Sequence, residues 1–189
     1  MGRRVGATIR LECGFSMVEL LIALAILAVL VGLAAPGMRT LLVSRQVTGA
    51  LNDLLADLQT ARTLAISRTQ RVGVVASGGH WQDGWQIQPD GTPSAASYSA
   101  ASATPLHAHE ALGAGFSAAM DRGGAIDRVV FARDGSVYDT ASNARASGDT
   151  TFGVCKPAGA RAQAMVLVVH ASGQMQSYRD RRVSGASCP

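Results

Sequence analysis

The chain has 189 residues, 48% of them hydrophobic but only 5% aromatic, and a formal charge of +4. That length holds one domain of ordinary size with an appendage. Arg3, Arg4 and Arg10 against Glu12 put half of the surplus charge into the first 14 residues. The remainder is only mildly basic, so the charge does not argue for a nucleic-acid binder, whose footprint is a concentrated basic face.

The first element is an apolar run. From Phe15 to Ala35 only Ser16 and Glu19 are polar. At a rise of ~1.5 Å per residue such a helix spans the ~30 Å hydrocarbon core of a bilayer. The arginines precede it, so the positive-inside rule keeps residues 1–14 cytoplasmic and sends the C-terminal domain outward. A secretory signal ending in the small residues of "GLAAPG" fits this outline, and so does a plain signal anchor. A lipoprotein signal does not, because Cys13 comes before the run instead of after it.

Neither fitting outline explains Glu19. A charge at the centre of a span costs ~2.5–3.5 kcal/mol, and less near an end where it can snorkel. A carboxylate tolerated near the interface is the plain alternative. A cut between Gly14 and Phe15, however, creates an amine one helical turn before Glu19. That amine, in the same chain or in a packed neighbour, offsets the cost. Gly14-Phe15-Ser16-Met17-Val18-Glu19, followed by Leu20, Leu21 and an apolar helix, resembles the class III signal of type IV prepilins and type II secretion pseudopilins. The resemblance implies a prepilin peptidase that cleaves after Gly14 and methylates Phe15. It also implies that Glu19 is needed for assembly into a helical filament.

Pro36, between Gly32 and Gly37, removes one backbone bond and clashes with the preceding turn, so a kink or local melting is expected there. Beyond it Val47, Leu51, Leu54, Leu55 and Leu58 keep the spacing of one helical face, with Arg45, Asn52, Asp53, Gln59 and Arg62 on the others. This predicts an amphipathic continuation to about Ser67.

After Thr69 the period changes. "RVGVVA" (71–76), "GWQIQ" (84–88), "DRVVFA" (127–132), "TTFGV" (150–154) and "AMVLVVH" (164–170) read as strands, and "ASGQMQSY" (171–178) as a turn into a last one. The Ala/Ser-rich stretch 92–105 has little to bury and reads as a mobile loop, and 139–150 as a second. The fold class expected is α+β, a long N-terminal helix on a mostly antiparallel β-domain. Trp81 and Trp85 bracket a Gln-Asp-Gly turn and read as anchors packing on the helix.

"LQTARTLAISRTQRVGVV", "GGHWQDGWQIQPDG" and "RVVFARDGSV" are similar to the soluble domain of the GspH/FimT family of minor pilins and pseudopilins. In that family an Arg-x-x-Ala-Ile stretch ends the helix, and Trp-x-x-Gly-Trp marks the hairpin after the first strand. The expected division is a leader (1–14), a transmembrane and filament-core helix (15–37), its amphipathic half (38–68) and a β-domain (69–189).

Of the three cysteines, Cys13 precedes the run while Cys155 and Cys188 lie far beyond it. Loss of the leader leaves an even pair, and a bridge across about 30 residues contributes roughly 3–4 kcal/mol in the chain-entropy model. Two free thiols are the alternative. His80, His107, His109 and His170 form no pattern at metal spacing, and no phosphate loop or nucleophile elbow is present. No cofactor, metal or catalytic residue is expected.

Some FimT-type minor pilins bind DNA through a Gly-Arg-x-Arg motif after the last turn. Here the matching place reads Gly173-Gln174-Met175-Gln176, without either arginine. Arg179, Arg181 and Arg182 follow as a smaller basic patch, partly offset by Asp180, and a nucleic-acid partner is not expected. The resemblance thus implies a non-enzymatic minor pseudopilin of a type II secretion system, anchored once in the bacterial inner membrane with a periplasmic domain. Its implied partners are prepilin peptidase, other major and minor pilins or pseudopilins, and an inner-membrane assembly platform. The alternative is a FimT/FimU-like minor pilin that primes type IV pilus assembly, with DNA binding for natural transformation left open.

Overall fold

The computed structural model describes residues 16–100, 104–156 and 164–179. Its contacts divide the chain into two units, Met1–Leu41 and Leu42–Pro189.

Helix α1 runs from Met17 to Arg68. Ser16 starts it: its Oγ accepts the Glu19 N–H at 3.1 Å and its carbonyl accepts the Leu20 N–H at 3.2 Å. These bonds satisfy donors that a helix start otherwise leaves orphaned. The far end closes by the reverse device. Thr69 turns left-handed at φ +51°, and the Gln70 and Thr69 amides return to the Ala65 and Ile66 carbonyls at 3.2 and 3.3 Å.

In the second unit, Val47, Leu51, Leu54, Leu58, Ala61 and Ala65 line one face of α1 and are buried, with Leu55 half-buried beside them. The predicted stripe is therefore the core face, extended by Ala61 and Ala65.

Ten strands follow. Strands β1 (Val72–Ala76), β2 (Trp85–Pro89), β3 (His107–His109), β5 (Arg128–Phe131), β6 (Val137–Asp139) and β7 (Ala144–Arg145) make one sheet in the order β3-β2-β1-β5-β6-β7. The second sheet, β10-β9-β8-β4, is built from β4 (Ser117–Asp121), β8 (Thr150–Cys155), β9 (Met165–Val169) and β10 (Met175–Tyr178). Every pairing is antiparallel. Val72, Val74, Ile87, Val129 and Phe131 of the first sheet share one core with Met120, Phe152, Val154, Leu167 and Val169 of the second and with the α1 stripe.

Two loop expectations are corrected. The stretch 139–150 contains β7, whose Arg145 and Ala144 pair with Tyr138 and Asp139. The Ala/Ser-rich stretch, described at 92–100 and 104–105, does bury something. Tyr98 packs with Val130 and Tyr138 on the face of the first sheet turned away from the main core. This second layer explains why Val129, Val130 and Phe131 are all buried although they alternate in direction.

Candidate functional site

The first unit offers a surface instead of a cavity. All twelve large apolar side chains between Met17 and Leu33 are exposed, from 53% at Leu24 to 84% at Met17. Left in water, so long an apolar surface is untenable, and it calls for lipid or for packed neighbours. Glu19 is the one acidic residue in that stretch, exposed in the first turn of α1. Its amide is held by Ser16. Its carboxylate has no partner among the described residues and is available to a cation from outside.

Among the described residues no single helix is long and apolar enough to cross a membrane; Met17–Leu33 and Gly37–Arg68, taken as a bent pair, pass by length and composition. The break between them holds Pro36.

Gly14 and Phe15 lie outside the described residues, as do Cys188, Arg181 and Arg182. Cys155, at the end of β8, is fully buried and disulfide-bonded. Arg179 follows β10 and donates to Ser44 Oγ on α1 at 3.0 Å.

At the turn where a Gly-Arg-x-Arg motif would stand, Gly173 is closed in. A Cβ there would overlap the Gly135 carbonyl and the Arg62 guanidinium, while Gln174 and Gln176 point to solvent. The arginine at this turn comes from the helix. Arg62 donates Nε to the Gly135 carbonyl at 2.9 Å and a terminal nitrogen to the Ser172 carbonyl at 3.4 Å. One side chain thereby ties α1 to a turn of each sheet.

Sequence reasoning missed a buried polar network. Arg71 directly precedes β1 and meets Asp90 at 2.7 Å, with side chains 9% and 0% exposed. Its remaining nitrogens donate to the carbonyls of Ala95, Ala96 and Ser97 and to Tyr138 Oη. Asp90 in turn accepts the amides of Thr92 and Ser99. The pair thus holds down the 91–100 stretch that carries Tyr98, whose phenol burial pushes well above its ordinary range. The two charges sit nineteen residues apart, Arg71 just before β1 and Asp90 just after β2. The only hint was an arginine at the start of a β-branched run.

A second network joins β2 and β3 to the helix. Trp85, fully buried, donates Nε1 to Asp57 at 2.7 Å, and His109 stacks on its indole at 4.1 Å. His107 and His109 face Asp57 and Asp53 at 3.7 Å each. Trp81 packs edge-on against Phe152 and donates to the Ile126 carbonyl at 2.9 Å. Both tryptophans are buried anchors, but only Trp85 reaches the helix, through Asp57, while Trp81 is set against Phe152 of β8 and the Ile126 carbonyl. The two histidines belong to a strand the Ala-rich surroundings concealed. No group of three His, Cys, Asp or Glu placed for a metal occurs among the described residues. The cleft of about 750 Å³ beside the Arg71 network is lined by Arg71, Ser94, Arg133, Asp134, Ser136 and Tyr138 among others, and within it the Ser136 hydroxyl donates to Asp134 Oδ1 at 2.6 Å.

Residues 50–173 match the family described as type II transport protein GspH, and residues 9–35 match the prokaryotic N-terminal methylation motif. Among solved structures, the type IV minor pilin FimU of Pseudomonas aeruginosa is similar at 24% identity and a TM-score of 0.58, covering 77% of this chain and 96% of that one. The minor pseudopilin EpsH from the type 2 secretion system of Vibrio cholerae is similar at 10% identity and a TM-score of 0.52, covering 71% of this chain and 97% of that one. No curated protein matches the chain.

Proposed function

The chain belongs to the GspH family of type II transport proteins, and on that footing we propose that it is a minor pseudopilin of a type II secretion system. The observation that carries the proposal is the exposed apolar face of α1 with a single unpartnered carboxylate, Glu19, in its first turn. Prepilin peptidase removes residues 1–14 after Gly14 and methylates Phe15. Residues 15–37 then serve first as the membrane anchor and later as the filament core. Glu19 pairs with the N-terminal amine of a neighbouring pilin or pseudopilin, which removes the cost of burying it. The assembly platform of the inner membrane draws the helix out of the bilayer, and the β-domain (69–189), set on the amphipathic half (38–68), faces the periplasm.

The match to the N-terminal methylation motif supports the processing step, and the break between Leu33 and Gly37 supports a kink at Pro36. Cys155 pairs with Cys188 in the exported part, since the remaining cysteine, Cys13, belongs to the leader. The chain acts by assembly, without catalysis and without a nucleic-acid partner.

The likeness to FimU, at this identity, is one of fold and does not choose between machines. The choice falls to exoenzyme activity in culture supernatants of a deletion strain, complemented with wild type or with Glu19→Ala. Restoration by wild type alone is the expected result. Unchanged secretion on deletion would replace this reading with a minor pilin priming a type IV pilus.

A further inference from the structure

Between Glu19 and Asp53 the chain carries no acidic residue, and its only charges are Arg39 and Arg45. Arginines just past the outer end of a span work against the orientation that Arg3, Arg4 and Arg10 set, so their presence asks for another reason. Arg45 is exposed, with no hydrogen-bond or ion-pair partner among the described residues. Arg179, arriving from the end of β10, brings a second exposed guanidinium to the same turn of α1 through its 3.0 Å bond to Ser44 Oγ. Leu42, 60% exposed, lies in that turn as well. One helical turn therefore presents an apolar side chain and two cations, and the next acid along the helix, Asp53, stands eight residues beyond Arg45.

We propose that Arg45 and Arg179 form a rim that binds the phosphate head groups of anionic phospholipids in the outward-facing leaflet while the subunit waits in the membrane. The proposal rests on the membrane-anchored reading above. Guanidinium forks pair with phosphate oxygens through parallel N–H bonds, and being weakly hydrated they give up water readily. The Ser44 bond fixes Arg179 against the helix, so less freedom is lost when a head group arrives. Basic residues beside a span attract anionic lipid over about a Debye length, and salt weakens that attraction. Arg181 and Arg182 lie outside the described residues.

The test uses the full chain in nanodiscs of phosphatidylcholine, with or without phosphatidylglycerol. Amide hydrogen exchange is read at residues 42–48 and 175–179. Phosphatidylglycerol is expected to slow exchange there several-fold at low salt, with the effect lost at high salt and in the paired variant Arg45→Gln/Arg179→Gln. Exchange across β8 and β9 checks that the variant stays folded. Equal exchange in both discs overturns the rim, as does protection that survives the paired variant. Protection by duplex DNA without any by phosphatidylglycerol hands the arginines to nucleic acid and overturns the lipid assignment. A wild-type chain retained by neither disc fails differently, because it removes the anchored reading on which the rim depends.

Discussion

The Tyr98 phenol lies across the Cα of Gly73, so close that a Cβ at residue 73 would overlap the ring, and its hydroxyl donates to the Gln88 carbonyl at 3.1 Å. Gly73 pairs with Val130 and Val130 with Tyr138, a row of residues on the outer face of the first sheet that Tyr98 covers. Gly73→Ala is therefore expected to lift Tyr98 from the sheet. The cost is about 1–3 kcal/mol, the usual penalty of overpacking. Chemical denaturation of the detergent-solubilised chain measures the loss, and tyrosine fluorescence or amide exchange at residues 95–100 reports the displacement. An unchanged exchange pattern would mean that Tyr98 does not depend on the missing side chain.

Removing one member of the buried Arg71–Asp90 pair should be more damaging than crowding its neighbour. Asp90→Asn leaves a guanidinium enclosed without its counter-charge, and breaking such pairs costs about 3–5 kcal/mol. Arg71→Met/Asp90→Leu removes both charges and is expected to recover part of that loss. A double variant as unstable as the single one would show that the carbonyl bonds to residues 95–97, and not the ion pair, hold the network.

Thr69 holds a left-handed conformation that β-branched residues resist. Thr69→Gly keeps the closing bonds of α1 without that strain and is expected to raise stability by about 0.5–1 kcal/mol, read as a higher denaturation midpoint. A lower midpoint would show that the threonine side chain contributes a contact outweighing its strain.

Acid should weaken the β-domain through its turns. Asp134 and Asp139 lie below the ordinary carboxylate range, chiefly because the hydroxyls of Ser136 and Ser142 donate to them, and Asp127 does so through its bonds from Arg128. A depressed folded pKa gives stability that is present above the unfolded value, near 4, and lost as pH falls through the folded value. Midpoints measured from pH 6 downward should hold steady until about pH 4 and then drop. Asp134→Asn should flatten part of that drop. A decline already complete above pH 5 would point to other groups.

The proposed Cys155–Cys188 bridge closes a loop of about 30 residues, for which the chain-entropy model gives roughly 3–4 kcal/mol. Cys188→Ala should lower stability by that order and leave Cys155 free, to be counted by thiol labelling of the unfolded chain. Label on neither cysteine of the non-reduced, processed wild type is the matching result. Full labelling of both would exclude the bridge.

What could be read in advance follows from which interactions are local. The stripe from Val47 to Leu58 recurs with the helical period, so its burial was legible residue by residue. The strands around Val74, Val129 and Leu167 announced themselves by β-branching between turn residues. Strand β4, Ser-Ala-Ala-Met-Asp, did not, because it owes its place to five register pairs with β8 and not to any propensity of its own. Strands β3, β6 and β7 are only two or three residues long, too short for alternation to register. The polar networks were hidden for a different reason. Arg71 and Asp90, or Trp85 and Asp57, meet only after the sheet has formed. At the N-terminus the situation is reversed. The Gly14–Glu19 pattern was plain in the sequence, while Gly14 and Phe15 lie outside the described residues.

Arg62 gives the molecule a mechanical property. Its guanidinium grips the turn between β5 and β6 and the turn between β9 and β10, one in each sheet, from a position late in α1. A tug transmitted along residues 42–68 would reach both sheets through this side chain, beside the Trp85–Asp57 and Arg179–Ser44 bonds and the shared core. The apolar face below it would be loaded in shear, with its contacts strained together instead of peeled apart one by one. A subunit hauled by its helix would then travel as a single rigid load, with its two sheets unable to slip past each other.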